Sequence, residues 1–351
     1  MKNHLHKVTI IMILKFTKLI LFISAGMLTS MTSFAESISL GGSSLESIVI
    51  RKPALYPEGI DYNPITDKFI VGSFREGAVY EVNLDGTYRH LINDERLNSV
   101  LAVRVDVKRN RLLVVNSDIG ASIRPYSEGP KKLASLGIYE LSSGKVIHFI
   151  DLGKLLPNKS HLVNGMALDA EGNAYITDSF SPVIYKIDPH GHASVFLESA
   201  RFLGEGINLN GIVFHPDGYL IVVKKGEGVL FKVPLNNPKS FSEIESSSKF
   251  IGGDGLILVN NKELIVIANR ASGQVTETVF ALNSNDNWKT AKVTNEYKFG
   301  KVYLTTGVIR KDKIYVIHSD LKALMLASKE EKNQLRKKAT IQQVGSVRYL
   351  R

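Results

Sequence analysis

Two carboxylates and two carboxamides in this chain share one local pattern, an oxygen-bearing side chain followed directly by glycine: Glu58-Gly59, Asn164-Gly165, Asn210-Gly211 and Asp254-Gly255. Gathered around one point, they would form an all-oxygen cation site. Glu58 and Asp254 would neutralise a dication, Asn164 and Asn210 would add carbonyl oxygens, and water would complete the six to eight ligands that calcium takes. Calcium is therefore the expected ion, with magnesium, manganese or zinc as alternatives. Zinc ranks last because neither His nor Cys belongs to the set. A cation held this way polarises a carbonyl and stabilises the developing oxyanion while a carboxylate takes a proton from attacking water.

Asp254 is the first candidate for that base. A carboxylate bound to a dication is a poor base unless one oxygen stays free, which keeps Asp118 and Asp178 as further candidates. Asn164, Lys224, Asn269, Arg270 and His318 are the expected substrate-binding groups, and Lys224-Lys225 and Arg270 would suit an acidic substrate. His161, three residues before Asn164, reads as a loop-surface histidine. The chain has no cysteine, which excludes thiolate chemistry and disulfides. It also lacks a Gly-x-Ser-x-Gly elbow, a His-Glu-x-x-His helix and a phosphate-cradling Gly-x-x-x-x-Gly-Lys loop, so those hydrolase and nucleotide-dependent classes lack their required parts.

The elements that must position these residues are repeated. A unit of about 50 residues recurs six times. Its clearest copies run from Asn164 to Asp178 and from Asn210 to Val223, each a strand, a tight turn and a second strand. Pro216-Asp217-Gly218 and Glu171-Gly172-Asn173 supply the turns. Ala78–Val82, Val183–Ile187 and Val229–Val233 are too short for helices and read as third strands, followed by fourth strands such as Ala193–Leu197. Tyr80, Tyr139 and Tyr185 fall on third strands and are expected to pack between neighbouring units.

Six four-stranded antiparallel units predict an all-β fold, a six-bladed β-propeller, over residues 36–351. In such a blade the innermost strand lines a channel, so equivalent starting residues collect near the axis. Aligning the units places Glu58, Leu101, Asn164, Asn210, Asp254 and Thr306 in one register, and all but Leu101 are followed by glycine. The segment Ile119–Ser135 reads as an exposed loop insertion. An open ring would leave a bare strand edge, so Ser47–Ile50 is expected to join the last blade beside Ala339–Val344. Ser328–Lys338 reads as a surface helix or loop.

Residues 1–35 read as a secretory signal peptide, with Lys2, Lys7, Lys15 and Lys18 preceding the apolar run Leu19–Met31 and a small-x-small site at Ser33-Phe34-Ala35. The mature protein is then expected to be periplasmic or secreted, with no stable membrane span. Removing those four lysines lowers the formal charge from +10 to +6. Much of the remainder lies in Lys329–Lys338, and no helix-turn-helix or aromatic platform accompanies it, so no nucleic-acid partner is expected.

Pro57-Glu58-Gly59, Asn164-Gly165, Asn210-Gly211 and Asp254-Gly255 together resemble the metal-binding positions of the gluconolactonase/regucalcin superfamily, over nearly the whole mature length. The related paraoxonases show a similar order of one Glu, two Asn and one Asp. The resemblance implies a divalent-metal-dependent hydrolase of a lactone or related ester, with Glu58, Asn164, Asn210 and Asp254 holding the ion. The chain departs from the pattern at Gly252-Gly253 and at Ile60, where relatives often carry proline, and neither departure removes a ligand. The alternative reading is a non-catalytic exported propeller in which a structural cation stiffens the channel and the rim binds a protein, peptide or sugar.

Overall fold

Short β-branched and aromatic runs separated by glycine- and aspartate-containing turns fold as antiparallel sheet throughout. The computed structural model describes residues 36–42, 45–124, 126–300, 302–327 and 338–349. Their strands form six four-stranded antiparallel blades in a ring, a six-bladed β-propeller. The innermost strands are Pro57–Asn63, Ser99–Asp106, Val163–Leu168, Leu209–His215, Gly253–Asn260 and Leu304–Arg310, one per blade. Each contacts the next in cyclic order, and the last returns to the first. The expected third strands Ala78–Val82 and Val183–Ile187 appear with those bounds. The insertion after Ser117 is a run of turns leading to the third strand Ala134–Glu140.

The ring closes through the N-terminal segment. Ser47–Ile50 pairs antiparallel with the last strand, Ser47 opposite Gln342 and Ile50 opposite Ala339. Glu36–Leu40 pairs with the same strand, so the outermost position of the sixth blade is filled by two consecutive pieces of chain. This pairing removes the edge that an open ring would present to other chains. It also unites the first and last blades in one apolar cluster, which includes Ile48, Phe69, Tyr80, Tyr315 and Ile341. The Phe69 and Tyr315 rings meet edge-on at 5.1 Å. Each such fully buried large apolar side chain contributes about 1.5–3 kcal/mol.

Third-strand tyrosines pack between blades and satisfy their hydroxyls there. Tyr80 donates to Glu76 at 2.7 Å, Tyr139 to Asp94 at 3.0 Å and Tyr185 to Asp178 at 3.4 Å. The residues read as a signal peptide lie outside the described residues, as does most of Ser328–Lys338. A helix just before the latter, Leu321–Leu326, reaches over the channel. Among the described residues, no helix is long and apolar enough to cross a membrane.

Candidate axial site

Every innermost strand carries an irregularity at the same level. The pairing register slips between Pro57 and Ile60, Val100 and Ala102, and Val163 and Met166. It slips again between Leu209 and Ile212, Gly253 and Gly255, and Leu304 and Gly307. A β-bulge of this kind re-aims the side chain it contains. The six bulges hold Glu58, Leu101, Asn164, Asn210, Asp254 and Thr306, the residues that share one register in the sequence.

Glycine follows because the strands crowd at the axis. A Cβ on Gly165 would stand 2.3 Å from the Asn210 carbonyl oxygen, and one on Gly211 would stand 2.4 Å from that of Asp254. Hydroxyl groups lock the bulged backbones together. Thr177 Oγ1 accepts from the Gly165 amide at 2.9 Å and donates to the Asn210 carbonyl at 2.6 Å. Across the ring closure, Thr305 Oγ1 donates to the Glu58 carbonyl at 3.0 Å.

Glu58, Asn164, Asn210 and Asp254 line one cavity of about 150 Å³, with Lys225 as a fifth polar member. Leu101 shares its wall, whereas Thr306 does not line it. Above this polar floor the walls are apolar: Phe74, Ile119, Leu162 and Ile207 come from strand ends and loops, and Leu321 and Met325 from successive turns of the short helix. Tyr303 completes the collar.

The two carboxylates are unequal. Asp254 Oδ2 accepts from Lys225 Nζ at 2.7 Å and from Asn269 Nδ2, while Asn269 Oδ1 accepts from the same ammonium at 2.6 Å. Glu58 Oε2 is buried without a hydrogen-bond partner. Burial, reinforced by the nearby Asp254 charge, pushes the Glu58 carboxyl well above its ordinary range; Lys225 and Thr305 only partly oppose this. Burial likewise raises the Tyr303 phenol, with Asp254 and Glu58 adding to the effect. An unpartnered buried carboxylate oxygen beside a second carboxylate and two carboxamides is the chemistry of a hard-cation site, so the donor set fits a calcium-like ion. Asn164 Nδ2 donates to Ser179 Oγ at 3.2 Å, which leaves its carbonyl oxygen to face other partners.

The remaining candidates lie elsewhere. Asp118 is buried under the insertion, accepting from the Gly120 amide at 2.7 Å and the Tyr126 amide at 3.0 Å. Asp178 accepts from the amides of Leu162, Phe180 and Ser181 at 2.9–3.1 Å and contacts His161 Nδ1 at 2.8 Å. His161 is thus a buried clamp, only 1 % exposed, and differs from the surface histidine expected. Lys224 points away from the axis, to the carbonyls of Arg201 and Leu203 and to Glu227. Arg270 pairs with Glu277 at 2.9 Å and lies 5.4 Å from the Tyr303 ring centre, so it braces a wall residue. His318 packs against Phe299 and does not line the cavity. Asn269 acts on the site through Asp254 and Lys225.

Sequence reasoning named Lys225 only in a dibasic pair suited to an acidic substrate, and it passed over Tyr303 and the apolar collar. A positional signal was available. Phe74, Ile119 and Lys225 fall within two residues after a second strand, while Leu162, Ile207 and Tyr303 fall within two residues before a first strand. Both positions lie on the face where the bulges start.

No family model matches the chain, and no curated protein matches its sequence. Solved structures match it in fold. The allergen Mala s 1 of Malassezia sympodialis superposes with a TM-score of 0.68 at 15 % identity, covering 86 % of this chain and 96 % of that one. Regucalcin of Agrobacterium tumefaciens, described as a calcium-binding protein, gives 0.59 at 16 % identity over 85 % and 92 %. A gluconolactonase of Xanthomonas campestris gives 0.58 at 12 % identity over 88 % and 94 %. The chain is therefore similar in fold, across most of its length, to propellers of the regucalcin and gluconolactonase type.

Proposed function

We propose that the protein is a divalent-metal-dependent hydrolase of a lactone or related ester, working in the axial cavity. The observation that carries this reading is the convergence of Glu58, Asn164, Asn210 and Asp254 on one cavity, with Glu58 Oε2 buried and unpartnered. Likeness in fold to a calcium-binding regucalcin and to a gluconolactonase supports it. A bound dication supplies Lewis-acid polarisation of the substrate carbonyl. Asn164 and Asn210 orient the substrate and complete the oxygen set. Asp254, fixed by Asn269, takes the proton from the attacking water. The apolar collar excludes bulk water and strengthens these interactions. Asp254 is preferred to Asp118 and Asp178 in this role because it lines the cavity and they do not.

The test is turnover of a panel of aldonolactones, alkyl lactones and aryl esters with calcium, magnesium or manganese, before and after chelation. Chelator-sensitive hydrolysis that Asp254→Ala and Glu58→Gln both abolish is the expected result. Absence of any such turnover across the panel refutes the enzymatic reading. One observation favours the non-catalytic alternative: Asp254 Oδ2 is already engaged by Lys225 and Asn269. The same proposal takes residues 1–35 as a cleaved signal and the mature protein as periplasmic or secreted; N-terminal sequencing of exported protein, expected to begin at Glu36, tests that assignment.

A further inference from the structure

Lys225 is the one cationic side chain among the described residues lining the axial cavity. Its side chain is 3 % exposed, and its ammonium sits 2.7 Å from Asp254 Oδ2 and 2.6 Å from Asn269 Oδ1. Asn269 Nδ2 donates to the same Asp254 oxygen and to the Leu304 carbonyl, which fixes the Asn269 amide across the gap between blades. One oxygen of Asp254 is therefore held by two donors while Glu58 has a bare buried oxygen. A dication that used both carboxylates would meet an ammonium already bound to one of them. Like charges a few ångströms apart in a desolvated cavity repel strongly, and the lysine cannot relax into water without leaving Asp254.

We propose that Lys225 is a tethered cation that competes with a divalent ion for Asp254, so that the ion affinity of this propeller is set by displacement of its own lysine. The inference rests on the metal-binding part of the reading above and is independent of whether the site turns over any substrate. Loading the site would move the ammonium out of contact with Asp254 and into the channel mouth. An otherwise similar cavity without this lysine would hold the ion far more tightly.

Calcium titration calorimetry on the purified full chain, without substrate, tests this. Lys225→Met and Lys225→Gln are expected to bind calcium at least about 100-fold more tightly than wild type, about 2.8 kcal/mol at 1.4 kcal/mol per tenfold. Lys225→Arg keeps the charge and is expected to stay as weak as wild type. Equal affinity in wild type and both neutral variants, a gain in Lys225→Arg, or no calcium binding by any form overturns the proposal. Because removal of the ammonium leaves Asp254 unpaired and threatens folding in chelator, a second measurement uses the unaltered chain. Amine acylation with peptide mapping should show Lys225 labelled faster in saturating calcium than in chelator, relative to exposed lysines; unchanged labelling also overturns the proposal. Calcium affinities that follow the expected pattern, in a protein that hydrolyses nothing on the panel, would uphold competition at the site and refute the hydrolase.

Discussion

Gly211→Ala tests whether close packing of bulged strands builds the site. A Cβ there would lie 2.4 Å from the Asp254 carbonyl oxygen and 3.0 Å from the Leu256 amide nitrogen. Comfortable contact begins roughly 1 Å further out. The obstruction is backbone, and that backbone is paired on its far side, with Gly255 opposite Ile267 and Leu256 opposite Val266. A side chain could turn aside, but here an inner strand must shift bodily. Overpacking of this kind costs about 1–3 kcal/mol, and for a domain of roughly 310 residues each kcal/mol lowers the melting temperature by about 1.5 °C. The expected drop is about 1.5–5 °C, accompanied by weaker calcium binding because the displaced residue is Asp254. Gly300→Ala is the control, since no atom lies within 4 Å of its built Cβ. It should be neutral or slightly stabilising. Thermal unfolding followed by circular dichroism reads both variants. A Gly211→Ala protein that melts with wild type, and holds calcium equally well, would refute the claim that axial crowding positions Asp254.

Three further outcomes follow from the same geometry. Asp178→Ala should destabilise the fold by about 3–5 kcal/mol in urea titrations, because it strands His161 and three amides; a loss below 1 kcal/mol would show that the clamp is dispensable. Leu101→Ala should cost about 2–4 kcal/mol of stability yet leave calcium affinity within threefold of wild type, since the position offers no ligand oxygen. Asp286 accepts from Thr290, Lys289 and Ser284, which hold its carboxyl down at about 2. Its stabilising contribution is therefore present above 3.8, the unfolded value, and is lost as pH falls toward 2. The sole tryptophan, Trp288, is buried in that turn and reports it by fluorescence; Asp286→Asn should abolish the acid transition of that signal, and an unaltered transition would assign it elsewhere.

The fold was legible because its determinants are local and repeated. Pro216-Asp217-Gly218 makes the same turn whatever surrounds it, with Gly218 at a φ of +85° that favours glycine. Aligning the units on their turns then fixed which residues share a level, so Glu58, Asn164, Asn210 and Asp254 could be grouped although the spacing between units is uneven. Side-chain direction was less accessible. The strand rule of alternation would send neighbours to opposite faces, but it could not say which of Lys224 and Lys225 faces the axis. Lys225 does, and Lys224 caps the Arg201 and Leu203 carbonyls instead. His161 misled for a related reason. Its burial depends on Asp178, seventeen residues away on the next strand, a contact that no local pattern announces. The collar escaped notice because isolated apolar residues at loop ends are indistinguishable, in one sequence, from ordinary core.

The pairing of Ser47–Ile50 with Ala339–Gln342 has a bearing on biogenesis. During synthesis the early segment emerges with its hydrogen-bonding edge bare and must wait for nearly three hundred further residues before its partner leaves the ribosome. Contacts so distant along the chain form slowly. A nascent chain stalled anywhere in the fifth blade would be an open crescent with two sticky ends, a species that chaperones and proteases recognise and that other crescents can join.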